Sequence, residues 1–391
     1  MRNFCIIILA NIVLETAIPI VVVASGLTGL MIAPANWMAT IPAAVQMASA
    51  AIFAAMISRL MIRYGRRFGF MVCSISMALG GIGSVMTIIA ASFWGFTLCQ
   101  ALIGLGLLGI NFFRYAAAEA ATEHLKASAS SLTLASGLIA VPIGGMFFAI
   151  STNLLAPVHF AGAYMIVCAI GIVGTAILLG LNMPAAEVSA VPKQQWRSEL
   201  RRLFTLPTIP LVLLTTSAGH GAMLLTMMPA SIAMVDSGFT PTHSAHLISL
   251  HLLAMFAPGL ITGQVIQKIG FQWVICLGVG FQFMGFILGS VGGVMSLVSL
   301  AFYIPLIASG ISWNFMFLGG THGINLIKDN SLRASVQGLN ETGLAVLSTI
   351  FVLCSAPIFA FLSWPYLLLI SAVIVLTLPT IGFVIERRIP S

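Results

Sequence analysis

Twelve long apolar runs, separated by short polar or Gly/Pro breaks, constrain this chain more than any other feature. They lie at about 4–27, 36–60, 68–91, 93–118, 128–150 and 160–181, then at about 208–233, 245–266, 271–292, 296–323, 335–361 and 366–385. An α-helix needs about 20 residues to cross the hydrocarbon core of a bilayer, and each run supplies them. Backbone groups in hydrocarbon must be satisfied internally, and the runs are continuous rather than alternating with period two. Helices are therefore expected and a barrel is excluded. Only 6% of the 391 residues are charged, whereas a water-soluble domain carries roughly a quarter. Such a chain cannot cover its own surface with polar groups, so lipid is its natural solvent. The first run follows Arg2 as a signal sequence would, but it continues to about Leu27 without a clear cleavage site and is read as the first span. Cys5, Cys73, Cys99, Cys168, Cys276 and Cys354 all lie within apolar runs without CxxC spacing, and read as small hydrophobes.

Charge placement predicts the orientation. With the N-terminus inside, the cytoplasmic segments hold 15 of the 16 Lys and Arg residues, Arg114 lies within a span, and the exterior loops hold none. Positive residues resist translocation, so both termini are expected in the cytoplasm. The net charge of +7 is dispersed between apolar runs, without the basic stripe of a nucleic-acid binder. The longest interior segment, 182–207, sets Lys193, Arg197, Arg201 and Arg202 around Trp196, Leu200, Leu203 and Phe204, the pattern of an amphipathic helix at the membrane surface. It divides the chain into six-helix halves, 1–181 and 208–391.

The halves repeat. Ser58-x-Leu60-x-x-Arg63-x-Gly65 recurs as Gly263-x-Val265-x-x-Lys268-x-Gly270, Asn111-Phe112 as Asn314-Phe315, and Leu125-Lys126-Ala127-Ser128 as Leu332-Arg333-Ala334-Ser335, all displaced by about 205 residues and in the same order. Two parallel six-helix repeats joined by a basic loop resemble the major facilitator superfamily over essentially the whole chain. Residues 58–67 (SRLMIRYGRR) resemble its signature loop through Arg63, Gly65, Arg66 and Arg67; Ser58 replaces a glycine and Ile62 stands at the acidic position. The resemblance implies an all-α integral membrane protein of two pseudo-symmetric bundles. It also implies secondary transport by alternating access about a site near the midplane.

In that superfamily spans 1, 4, 7 and 10 line the cavity, and the polar intramembrane residues fall largely on them: Asn11 and Glu15, Asn111 and Arg114, His220, Asn314 and His322. Buried charges are expensive and mark a pathway or a pair. Glu15 can pair with Arg114, carry a proton, or bridge helices structurally. His243 and His246 read as solvated histidines or an outer metal-capture point. Asn340 and Glu341 read as a packing pair or a cytoplasmic gate.

Met223-x-x-x-Met227 and His251-x-x-x-Met255 each place two side chains on one helix face, about 6 Å apart in rise. Antiparallel neighbours would bring all four into one layer, with His220 a turn below Met223. Thioethers with imidazole form a soft, neutral ligand set that favours copper over magnesium, calcium or manganese. The competing reading is core packing, since the chain has 20 methionines and Met fills gaps. These paired motifs, 28 residues apart from Met223 to His251, resemble those of the CcoA-type copper importers of bacteria. The segments Asn111–Glu119 and Trp313–Thr321 are similar to the same subgroup, which also includes proposed riboflavin importers lacking the Met/His motifs. The resemblance implies copper import across the bacterial inner membrane. A flavin-like or other small organic cargo would instead rest on Arg114, Trp313 and Asn314, and a non-transporting sensor or scaffold is a third reading. No prosthetic group and no nucleic-acid partner are expected, and a monomer is. No Walker motif, GxSxG or metalloprotease signature is present, so an enzyme is not expected.

Overall fold

The computed structural model of the chain describes residues 2–120, 133, 135–183, 208–327 and 330–388. Regular structure among them is helical. In chain order the elements are α1 (Arg2–Glu15), α2 (Ala17–Ile32), a 3-10 turn (Asn36–Met38), α3 (Ile41–Tyr64), α4 (Arg66–Ile89), α5 (Phe93–Ala120), α6 (Gly137–Ser151) and α7 (Ala161–Leu178). They continue as α8 (Thr208–Asp236), α9 (Pro241–Phe256), α10 (Gly259–Ile269), α11 (Phe271–Val294), α12 (Val298–Asn325) and α13 (Asn330–Arg388). Among the described residues ten segments are long and apolar enough to cross a membrane, and α6 is apolar but shorter. The last segment, Gly343–Arg388, is two helices in series, because Ser363 (φ 66°, ψ 170°) interrupts α13. Most of these segments follow the expected runs to within a few residues, but α6 begins at Gly137 against an expected start at 128, and the run expected at 245–266 is broken at Ala257–Pro258. The amphipathic helix expected in 182–207 lies outside the described residues beyond 183.

Burial is inverted relative to a protein in water. Ile52, Leu98 and Phe361 are more than two-thirds exposed, while Gln100 and Gln282 are fully buried. Helices pack through small residues, since lipid-facing surfaces gain nothing from burying one apolar group against another. Gly81 of α4 and Gly171 of α7 exchange close contacts: a Cβ on the first would lie 2.6 Å from the Cys168 nitrogen, and one on the second 2.6 Å from the Ala78 nitrogen.

The chain forms two compact units, Met1–Val188 with Ser231–Leu253, and Ser189–Ala230 with Ala254–Ser391. The first crossing falls one residue after Pro229, inside α8, and the second just before the turn at Ala257–Pro258 that separates α9 from α10. In the first unit, α1 and α2 meet at Thr16, and Gly144 of α6 leaves room for the Thr16 carbonyl. The segment 231–253 is seated there too, with Ser249 against Gly145. In the second unit, α11 and α12 are tied by Ser312, whose Oγ donates to Gly278 O at 2.6 Å, and Gln282 Nε2 reaches Gly219 O of α8 at 3.1 Å.

The internal repeat extends to backbone geometry. Gly65 (φ 90°, ψ 159°) and Gly270 (φ 85°, ψ 154°) both join consecutive helices at a corner that L side chains rarely adopt. Ala91 (φ 49°) and Ser296 (φ 58°) are likewise 205 residues apart. Each follows its helix in a Schellman-type turn, with Ser92 N donating to Thr87 O at 2.9 Å and Leu297 N to Gly292 O at 2.8 Å. Two corners with matching dihedrals at one displacement are a structural signature of duplication that sequence identity alone carries weakly.

Candidate substrate site

On α12, five residues of one short stretch differ in exposure. Ser312 and Met316 face inward and are buried, Asn314 is buried, and Trp313 and Phe317 form a half-exposed strip. Four residues apart on a helix, the last two share a face, and their rings stack with centroids 4.8 Å apart and planes 12° from parallel. The Trp313 indole Nε1–H donates to Nδ1 of the partly exposed His220 on α8 at 2.7 Å. An imidazole accepting at Nδ1 carries its proton at Nε2 when neutral, so His220 offers an N–H donor beside the aromatic pair. This is a planar apolar surface with one fixed polar group, the composition typical of small-molecule sites.

Asn314 is committed within the protein. Its Nδ2 donates to the Met255 carbonyl at 2.7 Å, and its Oδ1 accepts from Thr262 Oγ1 at 2.7 Å. It thereby spans the interruption between α9 and α10, where carbonyls at a helix end need partners from outside the helix. His322 is exposed, with its ring 6.1 Å from that of Phe271.

In the first unit Asn11 and Glu15 are buried side by side. Asn11 Nδ2 donates to Glu15 Oε2 at 3.1 Å, to Ser136 Oγ at 2.7 Å and to Thr133 O at 3.1 Å, while Ser136 Oγ reaches Glu15 Oε2 at 3.3 Å and Thr133 O at 2.6 Å. The carboxyl group is thus held by two neutral partners. Arg114 is half-buried and Asn111 exposed on α5.

Met223, Met227, His251 and Met255 are all buried. His251 belongs to the first compact unit and the three methionines to the second. Among the described residues no group of three or more His, Cys, Asp or Glu is arranged to hold a metal, so a metal site here would depend on thioethers. His243 and His246 are exposed, and His243 shares the Thr240 hydroxyl at 2.9 Å at the start of α9. Asn340 accepts from Thr216 Oγ1 at 2.7 Å; the side chain of Glu341 lies outside the description. In the signature loop Gly65 makes the corner, with Arg63 and Arg67 exposed and Arg66 half-buried. Sequence reasoning singled out Trp313 for an organic cargo but not Phe317 beside it, and it did not single out Thr262, Ser136 or the Trp313–Phe317 pairing. Only the last had a readable signal, two aromatics four residues apart.

No protein-family model matches the chain. It is similar to the riboflavin transporter RfnT of Brucella anthropi, 27% identical over 343 residues, covering 87% of this chain and 84% of that protein. The uncharacterised MFS-type transporter YddS of Bacillus subtilis is 27% identical over 379 residues, covering 90% and 83%. The crystal structure of the nucleoside transporter NupG shares the fold with a TM-score of 0.73 at 15% identity, over 98% of this chain and 99% of that one. Relatives and fold together support a membrane transporter of the MFS type, and these proteins are transporters rather than enzymes.

Proposed function

We propose that this chain is a secondary transporter for a small organic solute with a planar ring system, of the flavin kind, working by alternating access. The observation that carries the reading is the stacked Trp313–Phe317 pair with His220 fixed beside it. Such a surface accepts a fused heterocycle by stacking and offers one hydrogen bond to its polar edge. The similarity to a riboflavin transporter over most of both chains supports the same class of cargo. Twelve spans, cytoplasmic termini and a bacterial inner-membrane location complete the proposal and rest on the charge asymmetry and the two-half repeat.

The test is uptake of labelled riboflavin into cells or proteoliposomes. Trp313→Ala should raise KM about 5- to 30-fold, the equivalent of about 1–2 kcal/mol of stacking, while Trp313→Phe retains most of the affinity. Equal uptake by Trp313→Ala and wild type would overturn the reading.

Copper is the second reading. His251, Met223, Met227 and Met255 are each buried, the first in one unit and the methionines in the other, and their side chains are soft, neutral donors of the kind copper prefers. Met227→Ala and His251→Ala would then lower radiocopper accumulation at unchanged protein level. Normal copper accumulation in both variants rejects this cargo, and absence of uptake of either solute would leave the sensor or scaffold reading.

A further inference from the structure

The corner between α3 and α4 gathers Arg59, Arg63, Arg66 and Arg67 within nine residues. No Asp or Glu occurs anywhere from residue 16 to residue 118, so none of the helices α2, α3 and α4 supplies a counter-charge. Arg59 and Arg63 are one turn apart on α3, and the positive-φ Gly65 turns the chain so that Arg67 follows at once on α4. These three guanidiniums are exposed. Arg66 is drawn inward, with Nη1 3.5 Å from Met61 Sδ.

Two exposed aromatic rings accompany the charges. Tyr64 and Phe68 lie 5.1 Å apart, and the Arg63 guanidinium sits 5.2 Å from the Tyr64 ring centroid. Exposed aromatics at a helix end, beside cations, have the composition of a membrane–water interface. The backbone does not demand the charge. The matching corner at Gly270 has the same dihedrals but carries only Lys268, and there Gln272 Nε2 donates to Glu386 Oε1 at 3.1 Å.

We propose that this corner is a binding site for the phosphate of an anionic phospholipid, with Arg59, Arg63 and Arg67 around the headgroup and Tyr64 and Phe68 at the level of the glycerol backbone. Charge complementarity argues for it: a cluster of cations without acids on its own helices, at a span end, on the face where positive residues collect and where the leaflet is negative. A phosphodiester also meets the planar donor array of a guanidinium through paired N–H bonds, which chloride cannot do. The inference is independent of the cargo.

The probe is spin-labelled phosphatidylglycerol against spin-labelled phosphatidylcholine, each at low fraction in phosphatidylcholine nanodiscs holding the full chain. Wild type should retain phosphatidylglycerol preferentially, and salt should weaken the preference. Each basic residue near an anionic surface contributes about a fivefold preference, so Arg63→Gln with Arg67→Gln should lower retention about 25-fold. Arg63→Lys with Arg67→Lys keeps the charges but not the paired N–H geometry, so it should fall between wild type and the glutamine variant, and it verifies that substitution at these positions leaves the fold intact. Equal retention of the two lipids by wild type would overturn the proposal, as would an unchanged preference in the glutamine variant. Displacement of the labelled lipid by inorganic phosphate, beyond that by chloride at equal ionic strength, would also overturn it, since the ligand would then be a free anion.

Discussion

Replacing Asn314 separates a structural role from a cargo-binding one. Its amide makes two hydrogen bonds of 2.7 Å, one to the Met255 carbonyl and one from Thr262 Oγ1. Thr262 Oγ1 also lies 2.7 Å from the Pro258 carbonyl, so Asn314→Ala leaves that hydroxyl with an acceptor. The Met255 carbonyl, by contrast, loses its side-chain donor at a buried helix end. One buried group left short costs about 1–3 kcal/mol, and interhelical hydrogen bonds in membranes fall toward the low end. A loss of about 1–2 kcal/mol is expected for Asn314→Ala. Asn314→Asp should cost more, because an acceptor then faces the Met255 carbonyl at hydrogen-bonding distance. Thr262→Val leaves Asn314 Oδ1 without its donor, so the two single losses should not add when combined; contacting residues couple by about 0.5 kcal/mol or more. The assay is reversible unfolding in detergent, with solute KM measured on the same variants. Wild-type stability in Asn314→Asp would refute this structural role, and so would strict additivity in the double variant. A raised KM at unchanged stability would return Asn314 to the substrate pathway.

Glu15→Leu should be close to neutral in stability, because Asn11 and Ser136 both keep Thr133 O as an acceptor; loss of uptake with an unchanged melting profile would show that the carboxyl group serves transport, and marked destabilisation would show that it does not serve transport alone. Gly81→Leu should prevent assembly of the first unit, since the added side chain meets the Cys168 backbone; a monodisperse, active variant would contradict the packing. Ser296→Gly should stabilise by about 1 kcal/mol, because a non-glycine residue at φ 58° carries a left-handed penalty; equal or lower stability would indicate that the hydroxyl compensates for it.

The helices were legible because hydrocarbon permits little else: run length and charge position suffice when backbone groups must satisfy themselves. The repeat was legible at Gly65 and Gly270, where the backbone needs glycine. It was misleading at Asn111 and Asn314, equivalent in sequence but exposed in one case and buried in the other. Which of two equivalent polar side chains turns inward depends on the neighbours, and the break after Phe256 that Asn314 serves has no counterpart in a pattern of apolar runs. The pairing of Glu15 with Asn11 follows from their four-residue spacing, whereas Ser136 enters only through tertiary packing. The Trp313–Phe317 stack was visible as spacing, but its link to His220 joins residues 93 apart and no periodicity announces it.

The assignment of 231–253 to the first compact unit, with crossings beside Pro229 and before Pro258, bears on protein engineering. A cut in the central linker would produce fragments that match the genetic duplication but not the compact units. The C-terminal fragment would carry a hairpin whose seat, including Gly145, is on the other polypeptide. Half-exchange chimeras with a relative should therefore take 231–253 from the same parent as residues 1–188. Split-gene complementation would depend on that hairpin finding its partner after synthesis.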